Sequence, residues 1–319
     1  MAGFFYHARM IGIVHLVTLG WITSSIMGAV YIVGPMALRT HLPAARADYV
    51  AFAAVVIGII GMVAHFWIED YGGMAWSAAM VEIGILVVGW QVCRRLWRAP
   101  VPRAVIGHIV LAFVNVLGAA TMGVLLGFDK VYHFLPGFVI TNVFAHAHLA
   151  AVGWAAMMVV GVSYRLLPMV LPAEMPAGPR LWISAALLQV GAWGLFVGFL
   201  GYRRFVPVFA AVAVSGVAAF LVQALLMLRR RRPRPAAASG LDPAVLHGAA
   251  SLLALGSASL LGLWLSMAPP SEVTLRVGSA YGTLGLVGFL AQMVVGMKRS
   301  EEHTSELQSH SFISYAVFC

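Results

Sequence analysis

The fold of this chain is decided by a long apolar stretch, HLVTLGWITSSIMGAVYIVGP, which runs from His15 to Pro35. Crossing the hydrocarbon core of a bilayer, about 30 Å thick, takes roughly 20 apolar residues in an α-helix. Lipid cannot pair the open edge of a sheet, so a helix is the form expected in that solvent. The stretch therefore predicts a membrane-spanning helix near the amino terminus.

Stretches of the same kind fill most of the 319 residues, of which 61% are hydrophobic and 10% charged, with a mean hydropathy of +0.92. This composition excludes an ordinary water-soluble domain. About nine spans are expected, at residues 11–38, 48–68, 74–97, 104–127, 138–170, 180–200, 205–228, 244–267 and 273–298. The predicted fold class is an all-α integral membrane protein, with residues 1–298 forming one polytopic domain.

The net charge of +9 comes from arginines placed beside the spans. They form no single basic face, so nucleic acid is not expected as a partner. Fourteen basic residues fall on one side of the nine spans and five on the other. The positive-inside rule then puts the richer side in the cytoplasm and the amino terminus outside. We expect the lipid bilayer as partner, and a multi-pass location in a bacterial-type inner (cytoplasmic) membrane.

Both ends of the chain differ from the spans. A short outer amino terminus without a signal peptide suggests that a further helix precedes it, and natural insertion with the amino terminus outside is the alternative. From Arg299 to His310 the polar sequence RSEEHTSELQSH resembles the in-frame translation of a sequencing-library adapter. Residues 299–319 are therefore expected to be an artefactual tail, and its histidines and Cys319 carry no functional prediction.

The opening stretch has a second copy in the fifth span, HLAAVGWAAMMVVGVSYRLLP, from His148 to Pro168. Seven identities recur at a constant separation of 133 residues, which apolar composition alone does not produce. A weaker third copy lies in the ninth span, with Thr283 in the place of the histidine. These copies predict parallel four-helix repeats with pseudo-threefold symmetry, at about 11–137, 138–272 and an incomplete 273–298. The repeated Gly28 and Gly161 are expected to be close-packing sites between helices.

Histidines inside the spans are the main candidates for chemistry, because an ionisable side chain in hydrocarbon is costly without a partner. Those in the outer half of the membrane are His15, His65, His146 and His148. His108 and His247 fall near the cytoplasmic ends of the fourth and eighth spans, where a packing or interfacial role is the preferred interpretation. The outer four are therefore the candidate metal ligands.

His146 and His148 lie two residues apart, so on a regular helix they point about 200° apart. If both are ligands, they serve two centres on either side of the fifth span; otherwise one is a ligand and the other faces a neighbouring helix. Neutral imidazole binds haem iron and copper. Haem b, as one or two groups, is the expected cofactor, and copper is a further candidate. Zinc is less favoured, because carboxylates are near only at the outer rim.

Arg203 and Arg204 lie in the outer loop between the sixth and seventh spans, against the general charge bias. Such a pair could hold the anionic propionates of a haem through charge-assisted hydrogen bonds. An exposed basic loop without a ligand is the alternative.

The sequence HAHLAAVGW followed by GVSYRLLP, from His146 to Pro168, resembles the haem-binding helix of subunit I in the haem-copper oxidase superfamily, most closely its cbb3-type branch. In that family an H-x-H pair ligates two haems on opposite faces of one helix, and twelve helices form three arcs of four. The resemblance implies that the chain is a fragment of such a bundle. It also implies reduction of dioxygen or nitric oxide, with electrons from a cytochrome c-type subunit.

The chain departs from this family at the copper site, since it contains no His-His dipeptide, and no catalytic tyrosine can be assigned. Two registers stay open. If the first five spans match the sixth to tenth helices of the family, His15 is a copper ligand and His146 and His148 are haem ligands. If the first span matches the second helix, His15 ligates a low-spin haem and His148 falls at the copper position.

The sequence thus predicts a haem-binding, respiratory-type membrane protein. His15 and His148 are expected to hold at least one haem b, with His146 and His65 as further ligands. One alternative is a non-enzymatic haem protein that handles nitric oxide or electrons. Another is a multi-helix transporter, which would place polar groups near the middle of the membrane and break its helices. The spans give little sign of either feature.

Overall fold

The computed structural model describes residues 7–40, 42–43, 45–231 and 243–296. Within these ranges the chain is helical without strands, and nine helices are long and apolar enough to cross a membrane. In chain order they are α1 (Ala8–Ile32), α2 (Arg46–Ile68), α3 (Tyr71–Leu96), α4 (Arg103–Tyr132), α5 (Val139–Val170), α6 (Leu181–Leu200), α7 (Arg203–Arg229), α8 (Pro243–Met267) and α9 (Glu272–Gly296). The predicted all-α membrane fold is confirmed. The tail assigned to residues 299–319 lies outside the described ranges.

Consecutive helices pack closely where glycines remove side-chain bulk. A Cβ added to Gly58 of α2 would lie 2.7 Å from Val81 of α3, and one added to Gly84 of α3 would lie 2.5 Å from Val55 of α2. The side chains of each helix therefore pack directly against the backbone of the other at these glycines, as is common at small residues in membrane bundles.

The packing role expected of the two repeated glycines holds at only one of them. A Cβ on Gly161 would lie 2.4 Å from the Cβ of His108, so α5 and α4 meet there with no room for a side chain. The expectation is wrong at Gly28, which has no neighbouring atom within 4 Å of an added Cβ. Sequence equivalence between repeats therefore does not imply equal packing.

The core of the bundle is centred on α5, whose residues from Gly153 to Gly161 are all buried. Trp154 on this helix donates from Nε1 to the Thr23 hydroxyl of α1, over 3.1 Å. Near the other end of α5, the Arg165 Nε donates to the Ala37 carbonyl, over 2.9 Å. These two polar contacts fasten α1 and the turn that follows it to the central helix.

Three helices change their backbone hydrogen bonding partway along. Eight-residue π-helical segments occupy Leu16–Thr23 in α1, Leu149–Ala156 in α5 and Leu284–Ala291 in α9. They begin 133 and 135 residues apart, each directly after a repeat position, held by His15, His148 or Thr283. Long π-helical segments are rare, and π-turns are frequent at functional sites. The three helices that carry the sequence repeat thus share a backbone feature, while the repeat boundaries stay a prediction.

Neighbouring helices supply hydrogen bonds to these π-helical segments. On α4, Asn115 donates to the Gly153 carbonyl over 2.8 Å, and on α8, Ser251 donates to the Phe289 carbonyl over 2.9 Å. Each donor precedes its acceptor by 38 residues. The α4–α5 and α8–α9 pairs are therefore built alike.

Candidate functional site

The candidate site lies where α1 meets α5. The rings of His15 on α1 and His146 on α5 are nearly parallel, with an interplanar angle of 23° and 6.1 Å between their centroids. Phe66 of α2 also contacts His15, with 5.2 Å between the ring centroids. Gly123 of α4 leaves room for His146, because a Cβ there would lie 3.1 Å from the imidazole Cε1. Residues of four helices, α1, α2, α4 and α5, thus meet around two half-buried imidazoles.

Backbone carbonyls fix the orientation of both rings. Nδ1 of His15 lies 2.8 Å from the Ile11 carbonyl of its own helix, and Nδ1 of His146 lies 2.8 Å from the Ala119 carbonyl of α4. A carbonyl oxygen can only accept, so Nδ1 carries the proton in the neutral ring. Nε2 then keeps its lone pair, which is the arrangement that metal-ligating histidines adopt.

His148 faces a different neighbour. Its Nδ1 donates to the Phe144 carbonyl over 2.8 Å, and its Nε2 lies 3.4 Å from the Tyr281 hydroxyl of α9. The ring also packs on Phe199 of α6, with centroids 4.9 Å apart. His146 and His148 therefore point to opposite sides of α5, as their spacing requires. The structure brings His15 together with His146, rather than with the expected His148.

His65 lies on the α2–α3 interface. Its Nδ1 donates to the Gly61 carbonyl over 2.7 Å and also lies 3.3 Å from the Ser77 hydroxyl of α3. Its Nε2 lies 3.7 Å from the Asp70 carboxylate at the outer rim. The neighbouring Phe66 contacts His15, so α2 directs His65 itself toward α3.

The two inner histidines have structural partners. His108 is fully buried, donates from Nδ1 to the Ala104 carbonyl over 2.7 Å, and places Nε2 3.0 Å from the Ser184 hydroxyl of α6. The Tyr164 hydroxyl of α5 lies 2.8 Å from the same oxygen. His247 pairs with Gln292 of α9 over 2.6 Å. These contacts agree with the packing role predicted for both histidines.

Arg203 and Arg204 are exposed and form a single 3-10 turn at the start of α7. The guanidinium of Arg204 lies over the Phe205 ring, 4.7 Å from its centroid. Phe199, which packs on His148, lies four residues before Arg203 in the chain. The arginine pair is thus near the end of α6 that carries Phe199.

The spacing of the two imidazoles is compatible with both rings binding one metal ion. Metal–nitrogen bonds of about 2.0–2.1 Å place the centroids of two imidazoles on one ion at most about 6.5 Å apart, and the observed 6.1 Å lies within that limit. In the ranges that the structure describes, no group of three or more His, Cys, Asp or Glu side chains could hold an ion. A haem brings four ring nitrogens of its own and needs only axial ligands from the protein.

Sequence reasoning missed Tyr281, although a signal for it was present. Tyr281 stands two residues before Thr283, just as His146 stands two before His148. It is therefore the third-repeat counterpart of His146. Comparing the residues two places before the repeat histidine in all three copies would have found it.

A buried amide on α4 was also missed. Asn115 is fully buried and, besides the Gly153 carbonyl, contacts Gln189 and Trp193 of α6. It is a polar residue inside a predicted span, and this was the available signal.

No family model, curated protein or solved structure matches the chain.

Proposed function

We propose that the chain is a haem-binding membrane protein of the respiratory type, similar to subunit I of the haem-copper oxidases, in which His15 and His146 would hold the iron of one haem b. The observation that carries this proposal is the pair itself. Two imidazoles from different helices lie 6.1 Å apart by ring centroid, each with Nδ1 bonded to a carbonyl.

Haem bound at this site supplies one-electron redox chemistry. The residues of the chain hold its iron and set its environment. The carbonyls of Ile11 and Ala119 keep Nε2 of each ligand unprotonated. Phe66 packs against the His15 ring, with 5.2 Å between ring centroids.

The finer parts of the proposal follow the resemblance of the fifth span. They are reduction of dioxygen or nitric oxide, electron supply by a cytochrome c-type subunit, and a location in a bacterial-type inner membrane. Arg203 and Arg204 remain candidates for binding propionates, and His148 for a second centre. His65 is a weaker candidate ligand, because it is turned toward Ser77 and Asp70.

A reduced-minus-oxidised absorption spectrum of detergent-purified protein, produced in a haem-replete host, tests the proposal. We expect a b-type α band in the wild type and its loss in His15→Ala and in His146→Ala. His247→Ala is the matched control, because it removes another half-buried histidine, one that is paired with Gln292, and it should keep the band. The absence of haem from the wild type, or an unchanged spectrum in both ligand variants, overturns the assignment.

A non-enzymatic haem protein is the second candidate. It is favoured by the lack, in the described part of the chain, of a cluster of three or more metal-ligating side chains such as a copper site uses. Metal analysis of the same preparation distinguishes the two candidates. Haem with stoichiometric copper supports the oxidase-like enzyme, and haem alone supports the non-enzymatic protein.

A further inference from the structure

One carboxyl group lies deep inside the membrane-spanning part of the protein. Glu82 is on α3, 11 residues after Tyr71 and 14 before Leu96. At a helical rise of 1.5 Å per residue it is about 16 Å from one end of the helix and about 21 Å from the other. Because the hydrocarbon core is about 30 Å thick, Glu82 is near its centre.

The other acidic residues of the described ranges lie at or beyond helix ends. They are Asp48, Glu69, Asp70, Asp129, Glu174 and Glu272. A carboxyl group at the centre of a span is costly to bury and is by default a functional feature. Glu82 is therefore exceptional by its position.

The Glu82 side chain is half-buried, on the α3 face beside α4. The Thr121 hydroxyl of α4 donates to its Oε1 over 2.5 Å. Thr121 is exposed, so the Glu82–Thr121 pair lies at the surface of the helix bundle, along the seam where α3 and α4 pack together. A single hydroxyl cannot replace the hydration of an ionised carboxylate in hydrocarbon. Placing this carboxyl group at mid-membrane is therefore costly even with the bond from Thr121.

No opposite charge is present near the middle of the helices that pack on α3. The titratable side chains of α2 are Arg46, Asp48, Tyr49 and His65, and those of α4 are Arg103, His108, Asp129, Lys130 and Tyr132. All of these lie within six residues of a helix end. On α3 itself the others are Tyr71, Cys93, Arg94 and Arg95, also near the ends. An ion pair with a nearby cation is therefore not the reason for placing a carboxyl group here.

We propose that Glu82, held by Thr121, is a proton-binding site inside the membrane that takes up and releases a proton at the seam between α3 and α4. This inference is independent of haem binding. It also meets the expectation that a transporter places a polar group near the middle of the membrane.

The site is separated from the histidine pair by one helix. His146 contacts α4 at Ala119 and Gly123, and Thr121 lies between these two residues but bonds to α3. Protonation of Glu82 therefore acts on the opposite side of α4 from His146.

A hydrophobic carbodiimide tests the proposal, because it reacts in lipid with a neutral carboxylic acid. The acid adds across one C=N bond of the reagent and its proton passes to nitrogen, so the product gains the whole mass of the reagent. Full-length protein in liposomes is labelled with dicyclohexylcarbodiimide at several pH values, digested and mapped by mass spectrometry. We expect one modified residue in the spans, Glu82, with a labelling rate that falls about tenfold per pH unit above its midpoint.

Two variants serve as controls. Glu82→Gln keeps a hydrogen-bond acceptor for Thr121 but removes the carboxyl group, so the label should be lost. Glu272→Gln removes an exposed carboxylate paired with Arg276, so labelling at Glu82 should remain. Mapping the label in wild-type protein needs no variant, so it decides the matter even where Glu82→Gln fails to fold. Labelling that maps elsewhere, does not depend on pH, or is blocked by sodium ions overturns the proton-site assignment. A haem-free preparation that is labelled at Glu82 supports this inference while contradicting the proposed function.

Discussion

Tyr281 of α9 lies against His148 of α5 in the same geometry in which His146 of α5 lies against His15 of α1. The ring centroids are 6.1 Å apart in both pairs, and the rings are inclined by 20° and 23°. His146 and Tyr281 each lie two residues before the repeat position of their own helix, which is His148 in α5 and Thr283 in α9. The α1–α5 and α5–α9 interfaces are therefore two copies of one arrangement, with a phenol in place of an imidazole in the second.

The two copies differ in the state of the imidazole lone pair. Nδ1 of His148 donates to the Phe144 carbonyl, so its Nε2 accepts from the Tyr281 hydroxyl at 3.4 Å. Nε2 of His15 has no such phenol opposite it, but another imidazole. The first copy thus places a second imidazole opposite His15 and is the pair proposed above as haem ligands, whereas the second copy engages Nε2 of His148 in a hydrogen bond.

Replacing the phenol should convert the second copy into the first. In Tyr281→His we expect a second imidazole opposite His148 at the same ring separation, and low-spin haem rising from one to about two per chain. Pyridine haemochrome assay and electron paramagnetic resonance of the ferric protein measure this ratio. Tyr281→Phe is the control, since it removes the hydroxyl without adding a ligand, and its ratio should stay at one. An unchanged ratio in Tyr281→His would show that the two interfaces are not equivalent.

Much of the membrane architecture could be predicted, because span length and hydropathy are properties of local sequence. The nine spans and the opposite directions of His146 and His148 follow from composition and helical angle. Which histidines meet across helices could not be predicted. In helices that are apolar on all sides, the sequence does not fix the rotation of each helix about its axis.

The π-helical segments add a second reason. Each begins directly after the repeat position and changes the angle per residue, so the faces of α1, α5 and α9 are not those of a regular helix. Glu82 had a local signal in the sequence, since it is a carboxyl group at the middle of a predicted span.

Loss of the Asn115 amide should destabilise the bundle. Asn115→Leu leaves the Gly153 carbonyl, the Gln189 amide and the Trp193 indole without their partner in a buried, low-dielectric site. Interhelical hydrogen bonds in membranes contribute about 0.6 kcal/mol on average, and unpaired buried groups cost more. We expect a loss of about 2 kcal/mol, measured by unfolding in mixed micelles with dodecyl sulfate.

Ser251→Ala is the matched control for Asn115→Leu. It removes one hydrogen bond, at the equivalent position of the α8–α9 pair, and should cost about 0.6 kcal/mol. Equal losses in the two variants would contradict the view that the Asn115 network, rather than a single bond, holds α4, α5 and α6 together.

Extra bulk at Gly123 should disturb the histidine pair. A Cβ at this position would already lie 3.1 Å from Cε1 of His146, and Gly123→Val adds two further methyl groups. The imidazole must then move away from the Ala119 carbonyl that orients it. We expect haem content to fall severalfold in purified protein, while Gly256→Val, next to Leu221 at 3.6 Å, should retain it. A normal haem content in Gly123→Val would argue against His146 as a ligand.

The repeated glycines offer a test of packing that uses the same substitution twice. Gly161→Ala places a methyl group 2.4 Å from the Cβ of His108, so α4 and α5 must separate, and overpacking of this kind costs about 1–3 kcal/mol. Gly28→Ala meets no atom within 4 Å and replaces a poor helix former by a good one, so its effect should be neutral, or stabilising by up to about 1 kcal/mol. Unfolding midpoints of the two variants in mixed micelles measure the difference. The two positions are 133 residues apart and equivalent in the repeat. Stability changes of opposite sign in the two variants would show that the packing around the two copies has diverged. Equal destabilisation would contradict that divergence.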